Sequence, residues 1–305
     1  MKRLFAGLLA ITCMLGAGAT FAKAPSSGPM FSVERQRGFG AYDPYGDFRD
    51  DKHANIEHLF LPWEDVDLAS LGDAEAYAMA RGRSLLITIE PWTWSADWRI
   101  SADQLRDRIL SGSYDANMAA ICQITAQMKV PVTIRWGQEM EDKTSRFTWA
   151  GWNPQDYIAA YRRVVDVCRG EAPNVTFMWS PKGVDGLEKY YPGDDYVDVV
   201  GLSVFGLQRW DRDKYGRDRS FAEALKPGYD RVVGFGKPVV VAEFGVVGDL
   251  AYVDSWMKDA RDGSLPGFDR LTATVYFNQH EVYPWPDGYG LPDWRVTKNV
   301  LTAQK

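Results

Sequence analysis

The chain has 305 residues, three cysteines and a formal net charge of −6, with 41 acidic against 35 basic side chains. That length suits one large domain, and an acidic chain without a basic patch is excluded from the usual classes of nucleic-acid binder. His53, His58 and His280 are scattered without metal-ligand spacing, so no metal site is expected.

Residues 1–22 read as a secretory signal peptide. Lys2 and Arg3 precede a short Gly/Ala-rich apolar run, and Thr20-Phe21-Ala22 offers a small-residue cleavage site. Cleavage takes the net charge from −6 to −8 and predicts a secreted or periplasmic protein with no stable membrane insertion. No later apolar run reaches membrane-spanning length. Residues 23–37 form an N-terminal extension, and 38–305 form a single domain, expected to be monomeric.

From there, short apolar β-branched runs alternate with longer amphipathic stretches. Strands are predicted at 38–42, 56–62, 85–90, 131–136, 175–180, 197–204, 238–243 and 271–278. Their near-continuous apolar character is what strands buried on both faces require. Helices are predicted at 102–110 after Ser101 as N-cap, at 115–128, at 154–169 after Asn153 and Pro154, and at 251–261. Eight strands with intervening helices predict an α/β fold, a (β/α)₈ TIM barrel. The competing doubly wound sheet lacks its Gly-rich phosphate loop here, because Arg37-Gly38-Phe39-Gly40 is followed by no helix. Cys122 and Cys168 fall in predicted helices, and export permits either a disulfide or two buried thiols.

Active sites of such barrels gather at the C-terminal ends of the strands. Strand four runs out into Arg135-Trp136-Gly137-Gln138-Glu139, and strand seven into Ala242-Glu243-Phe244-Gly245. Two carboxylates at one barrel mouth match what retaining glycoside hydrolysis needs, a proton donor and a nucleophile ~5–5.5 Å apart with separated pKa values. Arg135 is expected to point inward, near Glu243, and to hold it ionised. Glu90 ends strand three, either as a substrate contact or as an ion-pair partner of Arg135. Trp63, Trp92, Trp94, Trp136, Trp179 and Phe205 fall at or just after strand ends, and Trp285 and Trp294 follow strand eight. Aromatic planes of this kind pack on the C–H faces of sugar rings. The segments 206–220 and 279–294 are expected to set the groove walls. Their Arg209, Trp210, Arg212, Arg217, Tyr283 and Trp285 suggest room for an anionic or decorated glycan.

These motifs resemble glycoside hydrolase family 26, a member of the large clan of retaining (β/α)₈ glycosidases. PVTIRWGQEM is similar to its arginine-bearing strand and acid/base glutamate, and TWAGWNPQDYIAAYRRVVDVCR to its Trp-Gly segment and following helix. NVTFMWSP, YYPGDDYVDVVGLSVFG, KPVVVAEFG, FDRLTATVYFN and DWRV follow in the family's order. The resemblance implies double displacement with Glu139 as acid/base and Glu243 as nucleophile, without a cofactor. It implies β-linked substrates such as mannans, mixed-linkage glucans or β-1,3-xylans, with internal cleavage where the groove is open, while the two departures described next point instead toward a bacterial exopolysaccharide. The substrate-binding set is Arg135, Trp136, Gln138, Glu90, Trp92, Trp179, Phe205, Tyr276 and Trp285. Two positions depart from the family pattern. Gln138 replaces a histidine, and its amide is expected to reach a sugar hydroxyl. Phe205 replaces a tyrosine whose hydroxyl bonds the nucleophile, and Tyr276 or Tyr283 is expected to supply that hydroxyl. The departures also motivate an alternative, a non-catalytic polysaccharide-binding or export-accessory protein on the same barrel.

Overall fold

The computed structural model describes residues 30–33, 36–261 and 264–301. The signal peptide and the start of the extension lie outside the described residues. Eight parallel strands close in chain order into a barrel: β1 (Gly38–Tyr42), β2 (Ala54–Pro62), β3 (Ser84–Glu90), β4 (Val132–Trp136), β5 (Thr176–Trp179), β6 (Val199–Leu207), β7 (Val239–Val247) and β8 (Leu271–Phe277). Around them run α1 (Ser70–Ala80), α2 (Ala102–Ser111), α3 (Asp115–Thr125), α4 (Pro154–Glu171), α5 (Gln208–Tyr215), α6 (Phe221–Val232) and α7 (Leu250–Arg261). The barrel fold expected from the sequence is the one observed.

Local chemistry explains where the helices start. Ser101 and Gln104 form a reciprocal capping box at α2, and Ser220 and Glu223 form another at α6. Asn153 accepts from the Gln155 N–H at α4, with Pro154 in the first turn, where its missing N–H costs nothing. The helices α1, α5 and α6 were not among those read from the sequence.

Side chains alternate across each strand and divide the barrel into two cores. Leu85, Ile87, Ile89, Ile134, Phe177, Val200 and Val241 face outward, into the shell between strands and helices. Ile56, Leu86, Met178, Val199, Val240, Ala242, Ala273 and Val275 face inward, and Phe31 packs with them at the N-terminal end of the barrel. The floor is therefore apolar. Above it the interior turns polar, with His58, Thr88, Arg135 and Glu243 all buried.

One irregularity places the last of these. Leu202 and Ser203 of β6 pair with Val241 and Glu243 of β7, so β7 carries one extra residue at Ala242. The same bulge interrupts pairing with β8 between Val241 and Phe244. A bulge resets the parity of a strand. Ala242 and the adjacent Glu243 thus both face inward, whereas regular alternation would turn Glu243 toward the helices.

Of the two states left open for the cysteines, the disulfide is the one formed. Cys122 of α3 and Cys168 of α4 are bonded, with Cα atoms 5.3 Å apart. Replacing both with alanine should lower stability by about 2–4 kcal/mol, mainly by freeing the unfolded chain. Urea unfolding of the oxidised wild type beside the variant checks this through the midpoint, and coincident midpoints would refute it.

Candidate active site

Strand parity and burial assemble the site. Thr133 and Arg135 of β4 point inward. Arg135 is fully buried, and its Nη1 donates to Glu243 Oε1 at 2.5 Å and to Thr88 Oγ1 at 3.3 Å. His58 Nε2 lies 2.8 Å from the same Thr88 hydroxyl. Thr88 accepts from Arg135 and can therefore donate its own proton to His58, which leaves the ring hydrogen on Nδ1. Burial, with the Arg135 charge beside it, holds the His58 pKa well below the ordinary histidine value. His58 is thus a neutral acceptor at the end of a chain that runs through Thr88 and Arg135 to Glu243.

Burial pushes the Glu243 carboxyl above the usual glutamate range. The Arg135 charge and hydrogen bond oppose that push, and the charge of Glu139 adds to it. Glu139 arrives by a different route. Past β4 the backbone enters the left-handed region at Gly137 (φ 57°) and again at Glu139 (φ 55°). Glycine tolerates this freely, whereas a glutamate there is strained by roughly 1–2 kcal/mol. Surrounding bonds hold the turn in place. The Glu139 N–H donates to the Ser180 carbonyl at 2.8 Å, Trp149 Nε1 to that of Gln138 at 2.7 Å, and Tyr157 OH to that of Gly137 at 3.1 Å. Strain fixed this firmly is a common mark of a functional residue.

Glu90, on the β3 side of the mouth, is not an ion-pair partner of Arg135. Gln138 Nε2 donates to its Oε1 at 2.9 Å, and Trp92 Nε1 donates to its Oε2 at 3.0 Å. Burial raises its pKa, and these two hydrogen bonds pull it part of the way back. The Gln138 amide, expected to meet a sugar hydroxyl, uses one N–H on Glu90 and leaves its oxygen without a hydrogen-bond partner.

The aromatic expectations divide. Phe205 and Trp285 line a cavity of about 380 Å³ at the mouth, together with Glu139, Arg146, Ser203 and Trp210. Gly245 lets this wall close up, since a Cβ there would meet the Trp294 ring at 2.9 Å. Trp92 packs edge-on against Trp149 beside Glu90. Trp136 and Trp179 are corrections. Both point outward and are core residues, Trp136 against Tyr157 and Tyr161, and Trp179 against Tyr191 and Phe235. Trp63 is buried against Tyr114, and Trp94 lies exposed outside the cavity. Tyr276 is a further correction: it too faces outward, and its hydroxyl donates to the Trp294 carbonyl at 2.5 Å. Tyr283 OH donates to the Thr144 carbonyl. Neither hydroxyl reaches Glu243, and among the described residues no tyrosine hydroxyl is seen to bond it.

The wall arginines are also engaged elsewhere. Arg212 pairs with Asp218 and Asp249, Arg217 pairs with Glu223, and Arg209 lies over the Tyr289 ring. The site includes two residues that a search of strand ends does not reach. Arg146, in the loop after β4, bonds Glu281, in the loop after β8, at 3.1 Å. Among the described residues no cluster of His, Cys, Asp and Glu is arranged to hold a metal.

Arg135→Met strands a buried carboxylate and should cost about 3–5 kcal/mol near neutral pH. Without its counter-charge the folded-state pKa of Glu243 rises further. The deficit is therefore present above that pKa and shrinks as pH falls through it. Urea melts at neutral and acid pH test this, and a deficit that does not change with pH would instead assign the loss to packing.

A family model for glycosyl hydrolase family 26 matches residues 99–254, about half of the chain. Endoglucanase H of Acetivibrio thermocellus is 25% identical over 247 residues, which are 76% of this chain and 25% of that protein. A β-1,3-xylanase from an Alcaligenes species is 33% identical over 113 residues, 34% of this chain and 23% of the relative. The chain thus spans about a quarter of the length of these curated relatives. Among solved structures, an endo-β-1,4-mannanase double mutant from Cellulomonas fimi superposes with a TM-score of 0.62 at 17% identity, covering 80% of this chain and 65% of that one. A β-mannanase from Bacteroides ovatus gives 0.57 at 19% identity, covering 80% and 81%. The structural likenesses establish the barrel, and the family match over half its length establishes that this chain belongs to glycosyl hydrolase family 26.

Proposed function

We propose that the protein is a retaining hydrolase of β-linked polysaccharides, with Glu243 as nucleophile and Glu139 as general acid/base. The observation that carries this is the buried Arg135–Glu243 pair at the barrel mouth, with Glu139 held in the wall of the adjoining cavity. Glu243 attacks the anomeric carbon while Glu139 gives its proton to the departing glycosidic oxygen. Water, deprotonated by Glu139, then releases the sugar from Glu243. Arg135 keeps the nucleophile ionised against the pull of burial.

Relatives named endoglucanase, β-1,3-xylanase and mannan endo-1,4-β-mannosidase support a substrate among the β-glucans, β-xylans and β-mannans. A neutral glycan fits this cavity better than an anionic one. Each cation on its wall is already paired: Arg146 with Glu281, Lys182 with Asp142, and Arg219 with Asp211. Secretion or periplasmic export is part of the same reading. The N-terminal leader supports it, and the Cys122–Cys168 disulfide suits an oxidising compartment.

A β-glycan panel read by reducing-end release tests the proposal. Glu139→Gln should slow hydrolysis by roughly 10²–10⁴-fold, and Glu243→Gln by at least as much, with near-ultraviolet circular dichroism unchanged. Affinity without release by the wild type would instead favour the non-catalytic reading. The pH profile offers a second check. The nucleophile must be ionised, and burial raises its pKa, so the acid limb should lie above the ordinary glutamate range. Thr88→Val, which removes one hydrogen bond from Arg135, should move that limb further toward neutral pH. An unchanged limb would detach Thr88 from the nucleophile.

A further inference from the structure

In a closed ring of eight strands, β4 and β8 stand opposite each other, so a contact between their loops crosses the mouth. Two such hydrogen-bonded contacts are found among the described residues. Arg146 Nη2 donates to Glu281 Oε1 at 3.1 Å, and Tyr283 OH donates to the Thr144 carbonyl at 3.0 Å. The Arg146 guanidinium also lies 5.7 Å from the Tyr283 ring centre and 5.2 Å from that of Phe147.

The far end of this crossing is built before Arg146 reaches it. Glu281 is 3% exposed, and its Oε1 takes the N–H groups of Val282 and Tyr283 at 3.0 and 3.2 Å. A carboxylate fixed by its own loop makes a firmer partner than a solvated surface glutamate. The near end borders the reacting groups, since Arg146 and Glu139 line the same cavity. The Arg146 charge also interacts with those of Glu90, Glu139, Glu243 and Glu281, which belong to four different strands or the loops after them.

The crossing also walls the cavity. The 380 Å³ cavity is lined by Thr144 and Arg146 of one loop, by Glu281 and Tyr283 of the other, and by Ser203, Phe205 and Trp210 of the β6–α5 side. Internal attack on a polymer needs a groove that continues past both carboxylates in each direction. Here a hydrogen-bonded crossing stands at the cavity's edge.

We propose that the Thr144–Arg146 and Glu281–Tyr283 segments form a strap that ends the substrate cleft, so that the protein cuts glycan chains from one end and releases short products of a single length. The inference rests on the hydrolase reading above. Arg146, Glu281 and Tyr283 are then specificity-determining residues: they set how many sugar units fit beside the cleavage point.

The test follows viscosity and product length together during digestion of a soluble β-glycan that the panel shows to be cleaved. Wild type should release one short oligosaccharide from the earliest time points, with viscosity falling slowly per reducing end formed. Tyr283→Ala, at a partly exposed position, should broaden the products and steepen the viscosity fall severalfold. Tyr283→Phe, which loses only the hydroxyl, should fall between the two. A ladder of lengths from the wild type overturns the inference and leaves the hydrolase reading intact. Unchanged products from both folded variants also overturn it. A wild type that releases no reducing ends from any β-glycan overturns the hydrolase reading, and this inference with it.

Discussion

The upper half of the barrel is organised around one buried ion pair, Arg135 to Glu243. Taking both charges out of water costs several kcal/mol per ion, and their attraction repays this only if the geometry is held and the remaining polar atoms are satisfied. The surrounding residues hold the geometry, although Arg135 Nε and Nη2 have no hydrogen-bond partner among the described residues. Parity on β4 turns Arg135 inward, the β7 bulge turns Glu243 to face it, and Thr88 takes a further hydrogen bond from the guanidinium. Neutral His58 then accepts from Thr88 without adding a second positive charge beneath the arginine. Below this network the floor is apolar. The barrel thus spends its hydrophobic interior on stability at one end and its polar interior on chemistry at the other.

Much of this was legible in the sequence, and the failures have identifiable causes. The eight apolar runs marked the strands, because a strand buried on both faces must be apolar throughout. The inward direction of Arg135 and its place beside Glu243 were also readable. That same reading should have excluded Trp136, since the neighbour of an inward residue in a regular strand points outward. The rule applies equally to Tyr276, which follows inward-facing Val275. Proximity to a strand end does not override parity at these positions, and Trp179, next to inward-facing Met178, obeys the same rule.

The bulge in β7 is a different kind of failure. PVVVAEFG reads as an unbroken strand, and strict alternation from Val240 would have buried Glu243 among the helices. The extra residue shows only in how the strand pairs with β6 and β8. Arg146 and Glu281 were missed for a related reason. Each lies in a loop several residues beyond its strand, and their meeting depends on the two loops reaching across the mouth. Sequence spacing carries no trace of such a contact.

The two departures from the family pattern are coupled through charge. The charges of four carboxylates act on Arg146, which pairs with Glu281, while Arg135 pairs with Glu243. Gln138 gives Glu90 a hydrogen bond without bringing another charge into that group, which a protonated histidine would do. Phe205 removes a hydroxyl from the neighbourhood of Glu243 and packs instead against Trp294 and Phe277, completing the aromatic wall. Glu243 then has Arg135 as its hydrogen-bond donor, and the wall gains a flat apolar face. Phenylalanine at position 205 leaves the carboxyl to Arg135. It concentrates control of the Glu243 charge in one arginine, and that is why the fold devotes Thr88, His58 and a strand bulge to holding the pair together.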